Sequence, residues 1–415
     1  MSEESGLQWI VGIDWGSETH QVCVLDRAGT VHAERQVRHG GRGLAELCAW
    51  LRSLAEGALE RVAVAIEVPH GPLVETLLEQ GVAVYAINPK QLDRFRDRFT
   101  VAGAKDDRRD ARVLADALRT DARSFRRLVM DPARVIELRD WSRLAEELTR
   151  ERTRLCHRIR AQLVRYYPEL LSLTNDLGAA WFLDLLALVP TPAAAATVRR
   201  TQIAALLKRH RLRKLDAALV LDTLRAPALR VAPGTVAGAT ARLAMLVPRL
   251  RLVSQQLATV HARLEALGAA LAGEDADPQR PEQRIAAIVR SLPGVGPIVG
   301  GALLGEAWQP LQVADYHALR LLSGVAPVTT QSGKWRAVHR RWACNPRLSN
   351  ALYHAARNAA VHDPHFGVLY KALRARGHSR GRALRTIGDR LLAVLSAMLR
   401  SGSTYDPARR TARAA

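Results

Sequence analysis

At 415 residues the chain is long enough for two or three domains and a sizeable core, and its net charge of +21 argues for a polyanionic partner. Four scattered cysteines, Cys23, Cys48, Cys156 and Cys344, form no CxxC pair, which excludes a zinc ribbon and a disulfide framework and fits a reducing cytosol. No signal-peptide pattern opens the chain, and the longest uncharged apolar run, 292–305, is too short for a bilayer, so a cytoplasmic protein without a membrane partner is expected.

Residues 9–37 read as three strands, with Asp26-Arg27-Ala28-Gly29 as a hairpin turn between the second and third. An amphipathic helix follows at about 41–57, then a strand ending at Glu67. Next come a short helix near 72–80, a buried strand at 82–87, and helices around 89–99 and 107–121. Three meandering strands followed by alternating helix and strand is the element order of a ribonuclease-H-like α/β domain, expected over 1–130. The boundary falls near Asp131-Pro132, where Pro permits a helix to start.

The rest reads as all-α. A helical arm at 131–283 carries two seams of alternating three- and four-residue spacing. The first runs from Trp141 through Ala145, Leu148, Arg152, Leu155, Ile159 and Gln162 to Tyr166. The cleaner second seam runs from Leu243 through Leu250, Val260 and Leu264 to Leu271. Such spacing points to a coiled coil or a long helical hairpin, and hence to a homodimer or higher homo-oligomer; Pro248 should kink the second helix. Between the seams lies a helical insertion at about 175–235. A small helical domain is expected over 284–405 and a basic tail over 406–415.

Four acids stand out. Asp14 ends the apolar run Trp9-Ile10-Val11-Gly12-Ile13, and Glu67 ends the run Val62-Ala63-Val64-Ala65-Ile66. Strand-end acids in a ribonuclease-H-like order converge at one sheet edge. Asp107 and Asp110, three apart, share a helix face with Cβ atoms roughly 5–6 Å apart. Taken singly, each acid has a plain reading as a cap or turn former. As a set they repel one another unless a cation neutralises them, which asks for Mg²⁺, two ions together, and so for phosphate.

The C-terminal part holds the basic charge: positions 333–415 contain 17 Lys+Arg and 3 Asp+Glu. Arg outnumbers Lys 55 to 6, which suits bidentate phosphate contacts or reflects a GC-rich genome. Pro293-Gly294-Val295-Gly296-Pro297 between two apolar helices resembles a helix-hairpin-helix turn, whose Gly294 and Gly296 amides either approach a phosphate or serve packing alone. Ser332 lies in a Gln-Ser-Gly turn, followed by Lys334, Arg336, Arg340, Arg341 and Arg347, cations able to hold a DNA backbone beside a nucleophile. No Gly-x-Ser-x-Gly elbow surrounds it, and His339 is the one base candidate nearby.

That combination resembles the DEDD-type transposases, or serine recombinases, of the bacterial insertion-sequence-110 family, over nearly the whole chain. The matching segments are Val11-Gly12-Ile13-Asp14-Trp15 with His20, and Ile66-Glu67 with Gly71. Lys105-Asp106-Asp107-Arg108-Arg109-Asp110-Ala111 is similar to the family's Lys-Thr-Asp-Arg-x-Asp-Ala, which selects Asp107 over Asp106 and marks Lys105, Arg108 and Arg109 as nucleic-acid contacts. Further on come the Pro-Gly-Val-Gly turn, Ser323-Gly324-Val325-Ala326-Pro327, Gln331-Ser332-Gly333 and Asn345-Pro346-Arg347-Leu348. Asp106 stands where the family has Thr, and Cys344 where it generally has Gly.

The resemblance implies a RuvC-like metal-binding catalytic domain, a coiled-coil dimerisation arm and a serine-bearing transposase domain. Asp14, Glu67, Asp107, Asp110 and Ser332 would be catalytic, the four acids binding Mg²⁺. It further implies strand cleavage and rejoining of donor and target DNA, with the site chosen by an element-encoded bridge RNA. The competing reading is a RuvC-like structure-specific nuclease, or junction resolvase, in which water attacks and Ser332 is only a turn. A purely structural nucleic-acid scaffold is the non-enzymatic alternative.

Overall fold

The computed structural model describes residues 6–98, 106–273, 281–333 and 335–408. The chain divides into two compact units, Met1–Asp131 and Pro132–Ala415.

The first unit is a mixed sheet covered by helices on both faces. Its elements are β1 (Trp9–Asp14), β2 (Thr19–Leu25), β3 (Val31–Arg38), α1 (Gly41–Leu54), β4 (Val62–Ile66), α2 (Pro72–Glu79), β5 (Ala83–Ala86), α3 (Pro89–Arg96), α4 (Asp107–Asp121) and a two-residue β6 (Arg126–Arg127). The order across the sheet is β3-β2-β1-β4-β5-β6. β1, β2 and β3 meander antiparallel, β1-β4-β5 run parallel, and β6 closes the edge antiparallel. The short β6 is an addition to the expected elements.

Strand alternation sorts the core into two layers. Val11, Ile13, Val64 and Ile66 pack with Leu44, Leu47 and Leu51 of α1 and with Leu73 and Leu77 of α2. Ile10, Ala63 and Ala65 face Ala111, Leu114, Ala115 and Leu118 of α4. With both faces covered, all five residues of β4 are buried, which is why that strand reads as an unbroken apolar run.

Helices make up most of the second unit: α5 (Ala133–Tyr166), α6 (Ala180–Leu188), α7 (Pro192–Thr197), α8 (Arg200–Arg209), α9 (Ala217–Leu224), α10 (Pro233–Ala272), α11 (Pro281–Ser291), α12 (Pro297–Gln312), α13 (Tyr316–Ser323), α14 (Pro346–His362), α15 (Pro364–Ala375) and α16 (Arg380–Ser401). A hairpin of β7 (Val328–Ser332) and β8 (Trp335–His339) stands between α13 and α14, where only a turn at Ser332 was expected. One continuous apolar core joins the arm, the insertion and the C-terminal helices. The arm and the small domain expected over 131–283 and 284–405 are therefore one packed body.

α5 and α10 lie side by side along much of their length. They run antiparallel: Arg134 Nη1 donates to the Ala270 carbonyl at 3.2 Å, Arg263 pairs with Glu137 at 2.6 Å, and Arg249 lies 3.8 Å from Glu151. Leu243, Leu250, Val260, Leu264 and Leu271 are all buried in the single chain, as are Leu155, Ile159 and Tyr166 opposite. The two seams thus close on each other. Apolar positions consumed in this way cannot also form an intermolecular coiled coil, so the expected oligomer loses the argument that the spacing supplied. α10 continues as helix through Pro248. Among the described residues no helix is long and apolar enough to cross a membrane.

Candidate active site

The parallel register that sets Ile13 beside Ile66 places Asp14, the last residue of β1, and Glu67, just after β4, at the same edge of the sheet. α4 supplies the other two acids. Asp106 is its N-cap, the carboxylate accepting from the Arg108 amide at 3.4 Å, so Asp107 is the first residue of the helix and Asp110 lies one turn on. Capping engages Asp106 elsewhere and leaves the Asp107/Asp110 face for the sheet edge.

Gly12 makes that approach possible. A Cβ there would lie 1.9 Å from the Ala111 carbonyl oxygen and 2.6 Å from the Ala115 amide nitrogen. The backbone of α4 therefore rests directly on β1, two residues before Asp14. Ala111, Ala115 and Leu118 are buried at the contact. The glycine of the opening motif is thus a packing requirement that brings helix and strand carboxylates together.

Electrostatics record the convergence. The Asp14 carboxyl is pushed up to about 6, first by burial and then by the negative charges of Asp110, Asp107 and Glu67, with the Arg96 guanidinium pulling the other way. The other three acids thus all act on Asp14 at this edge. Asp110 is buried at 6% exposure, and Arg96, the last residue of α3, holds both its oxygens, Nε at 2.6 Å from Oδ1 and Nη2 at 2.8 Å from Oδ2. Arg96 also pairs with Asp93. A cation already stands against the acidic cluster, and nothing in the sequence singled Arg96 out.

The donor chemistry, carboxylates alone with negative charge in excess, fits a hard divalent cation. Among the described residues, however, no three such side chains are gathered to ligating distance, and the fourfold sphere expected from the sequence is not closed. Asp110 is instead engaged by Arg96.

His20, of the opening motif, is fully buried on β2. Its Nδ1 accepts from the Gly16 amide at 3.4 Å, and its Nε2 lies 3.0 Å from His39 Nδ1. Burial, then the neighbouring His39, hold its pKa down, and its contact with the Gly16 amide braces the loop after Asp14.

Ser332 ends β7 and pairs with Trp335 at the tip of the β7–β8 hairpin, an exposed position in the second unit. His339 pairs with Val328 at the opposite end of the same hairpin. Four residues of strand separate the two positions, on the order of 13 Å, so His339 is no base for Ser332 within this hairpin.

Two families describe the chain. One, described as transposase and carrying the DEDD and IS110 designations, matches residues 11–168; the other, described as the transposase IS116/IS110/IS902 family, matches residues 286–371. A mini-circle protein of Streptomyces coelicolor, named as a candidate transposase for IS117, is 31% identical over 98% of this chain and 97% of its own. The chain belongs to the IS110/IS116 family of insertion-sequence transposases. A protein of Sinorhizobium fredii, named as the candidate transposase y4uE, is 61% identical over 208 residues, 50% of this chain and 58% of that protein. An uncharacterised protein of insertion element IS110 from Streptomyces coelicolor is 30% identical over 73% of this chain and 72% of its own length.

The transposase places its other candidate contact residues unevenly. Lys105 and Lys334 lie outside the described residues. Arg108 and Arg336 are exposed. Arg109 lies partly exposed on the first turn of α4. Gly294 is required by packing: at φ 82, a Cβ would meet the Ala355 carbonyl oxygen at 2.2 Å, where its turn rests on α14. Gly296, the N-cap of α12, has open space around it.

Asn345 has a structural role in the second unit. Its Oδ1 caps α14 through the Arg347 and Leu348 amides at 3.0 and 3.1 Å, while Nδ2 donates to Glu306 at 2.8 Å. Arg347 is turned inward, with Nε 2.9 Å from Glu146 at an angle that makes no hydrogen bond. Both were expected as nucleic-acid contacts, and both are engaged with glutamates inside the unit. Arg341 donates to the Ala326 carbonyl at 3.3 Å, and Arg340 lies 4.2 Å from the Trp342 ring centroid.

Proposed function

We propose that this transposase is a metal-dependent DNA recombinase that excises and inserts its own element through a phosphoserine link at Ser332, with an element-encoded RNA choosing the sites. The single observation that carries the metal-dependent half is the convergence of Glu67, Asp107 and Asp110 on Asp14, whose carboxyl they help to raise to about 6. The sheet order, with acids at the carboxyl ends of the adjacent parallel strands β1 and β4, supports a ribonuclease-H-like, RuvC-like reading of the first unit. The acids also fall in the order Asp, Glu, Asp, Asp inside the region matched by the DEDD family.

Asp14, Glu67, Asp107 and Asp110 would hold two Mg²⁺ ions, with Arg96 yielding the oxygens of Asp110. Bound there, Mg²⁺ polarises a phosphodiester and offsets charge on the attacking and leaving oxygens. The hydroxyl of Ser332, exposed at the hairpin tip, attacks phosphorus. A P–Oγ bond forms as the bond to the departing 3′ oxygen breaks; the serine proton leaves to solvent and the departing oxygen takes one up. A 3′-hydroxyl of the exchanged strand then attacks the phosphoserine and restores the serine. One phosphodiester is exchanged for another, so no nucleotide triphosphate is required, in keeping with the absence of a P-loop pattern in the sequence.

The basic charge of positions 333–415 supports polynucleotide partners, and charge alone does not separate RNA from DNA. RNA guidance is tested by sequencing RNA that copurifies with the full chain: a single structured species from the element's flank supports it.

The decisive experiment looks for a DNA–protein adduct on a denaturing gel. Wild type should form it in Mg²⁺, Ser332→Ala should lose both adduct and recombination while still binding DNA, and Asp14→Asn should lose activity in any divalent metal. Recombination by Ser332→Ala would remove the serine from the reaction and leave water as the nucleophile.

A further inference from the structure

Beside the base of the β7–β8 hairpin the second unit carries two adjoining cavities, of ≈ 480 and ≈ 350 Å³, that share Gly324, Val325, Arg340 and Arg385. The larger is lined by arginine from two directions: Arg340 and Arg341 after β8, Arg382 and Arg385 on α16. Its one carboxylate, Asp389, is already taken. Arg320 Nε and Nη2 bind it at 2.7 and 3.2 Å, and the Tyr316 hydroxyl donates to it at 2.9 Å. Among the described residues no ion pair is recorded for Arg340, Arg382 or Arg385.

Arg385 shows what this costs. It is half-buried, and its pKa is pulled below the usual value, first by burial and then by the like charges of Arg340 and Arg382. Three guanidinium groups held together without a carboxylate form an arrangement that a phosphate relieves, because each presents a planar donor fork matched to phosphate oxygens.

The smaller cavity differs in kind. Trp342 and Tyr353 line it, with Asn350 and Ser349 beside them. Trp342 is 76% exposed and Tyr353 37%, whereas Trp308, Tyr166, Tyr167, Phe182 and Phe366 of the same unit are buried in its core. Arg340 stacks on the Trp342 ring and so joins the cationic cavity to the aromatic one. Cations along a backbone with exposed rings beside it are the two components of single-strand recognition, and a paired base would keep its faces inside the duplex stack.

We propose that this double cavity binds an unpaired stretch of polynucleotide, its phosphates on Arg340, Arg382 and Arg385 and one base unstacked onto Trp342 and Tyr353. The proposal deepens the proposed function and rests on it: it assigns a strand to a part of the second unit away from the reacting serine. Arg340 follows β8, five residues of strand beyond Trp335 at the Ser332 end of the hairpin. That is on the order of 16 Å, so the held segment is not the phosphodiester under attack.

Fluorescence anisotropy with the full chain tests it, using end-labelled oligo-dT, oligo-U, a DNA duplex, and an oligo-dT in which abasic residues replace the bases. Trp342→Ala should weaken oligo-dT or oligo-U binding by roughly 5- to 150-fold, the range for losing one stacked base, and leave the abasic strand unchanged. Arg382→Gln with Arg385→Gln should weaken the abasic strand as much as the normal one, and should lower the slope of log affinity against log salt by about 1.4. Both variants change exposed or half-buried positions, and a wild-type circular dichroism spectrum confirms folding.

Loss confined to oligo-dT assigns the cavity to the exposed DNA strand, loss confined to oligo-U assigns it to a guide RNA, and equal loss leaves it serving either through the same contacts. Single-strand binding unchanged in both variants overturns the proposal; a serine adduct still formed by wild type would show that the proposed function stands without it. An effect of Trp342→Ala on the duplex or on the abasic strand equal to that on oligo-dT also overturns it.

Discussion

Substituting Gly12 by alanine tests whether the acid cluster depends on one backbone contact. The new methyl carbon would sit 1.9 Å from the Ala111 carbonyl oxygen and 2.6 Å from the Ala115 nitrogen, both main-chain atoms of α4 that no rotamer change can move. Restoring ordinary contact requires α4 and β1 to separate by about 1.5 Å. Overpacking of this kind costs about 1–3 kcal/mol, or a fall in melting temperature of roughly 4–12 °C for a body the size of the first unit. The chemical cost is greater. Asp107 and Asp110 ride on α4 while Asp14 ends β1, so the displacement opens the cluster directly, and a shift of about 1 Å at a reacting centre is worth about 100-fold in rate. Calorimetry of the full chain, beside a strand-cleavage assay in saturating Mg²⁺, should show a modest thermal loss with cleavage down about 100-fold or more and DNA binding intact. A Gly12→Ala protein that melts and cleaves like wild type would refute the claim that this close approach assembles the site.

Arg96→Gln should lower the melting temperature in chelator, because the buried Asp110 loses both hydrogen bonds, and should raise the stabilisation gained on adding Mg²⁺; an unchanged Mg²⁺ response would show that Arg96 does not compete with the metal. The Asp14 carboxyl, raised from 3.8 to about 6, binds its proton in the folded state after the unfolded chain has released it. Folded stability in chelator should therefore fall as pH rises from about 4 to 6, and Asp14→Asn should remove that part of the slope; identical pH profiles for the two proteins would contradict the crowding. Leu250→Ala, at a fully buried position of α10, should cost about 2–5 kcal/mol with no dependence on protein concentration, whereas a concentration-dependent loss would place the seam in an intermolecular coiled coil.

The strands of the first unit were legible because period-two alternation and unbroken apolar runs state which faces are covered; β1 ends at Asp14 and β4 at Ile66, just before Glu67, where their apolar runs end. The helical seams were legible in position but not in partner. A three-four spacing reports that a helix face is apolar and is silent on whether the covering helix belongs to the same chain. The pairing of α5 with α10 depends on the chain turning back through α6 to α9, information that lies in no heptad. The hairpin at 328–339 was missed for another reason: all five residues of β7 are exposed, and a strand with no buried face shows no alternation to read.

Within the site, charge and spacing gave the acids, while contacts between elements remained hidden. Arg96 is one of 55 arginines, and its bond to Asp110 follows from where α3 ends relative to α4. Its presence alters the chemical problem at the sheet edge. Four carboxylates with no cation would have to protonate or separate, and the upward shift of the Asp14 carboxyl is the direction such crowding dictates. A fixed guanidinium on Asp110 offsets the charge at that residue without any metal. Under the metal-dependent reading the same bond would compete with the ion, since oxygens given to Arg96 are not available as ligands. If the four acids hold metal as proposed, passing Asp110 from Arg96 to the ion would need only a side-chain rotation of Arg96, with the sheet edge left as it stands.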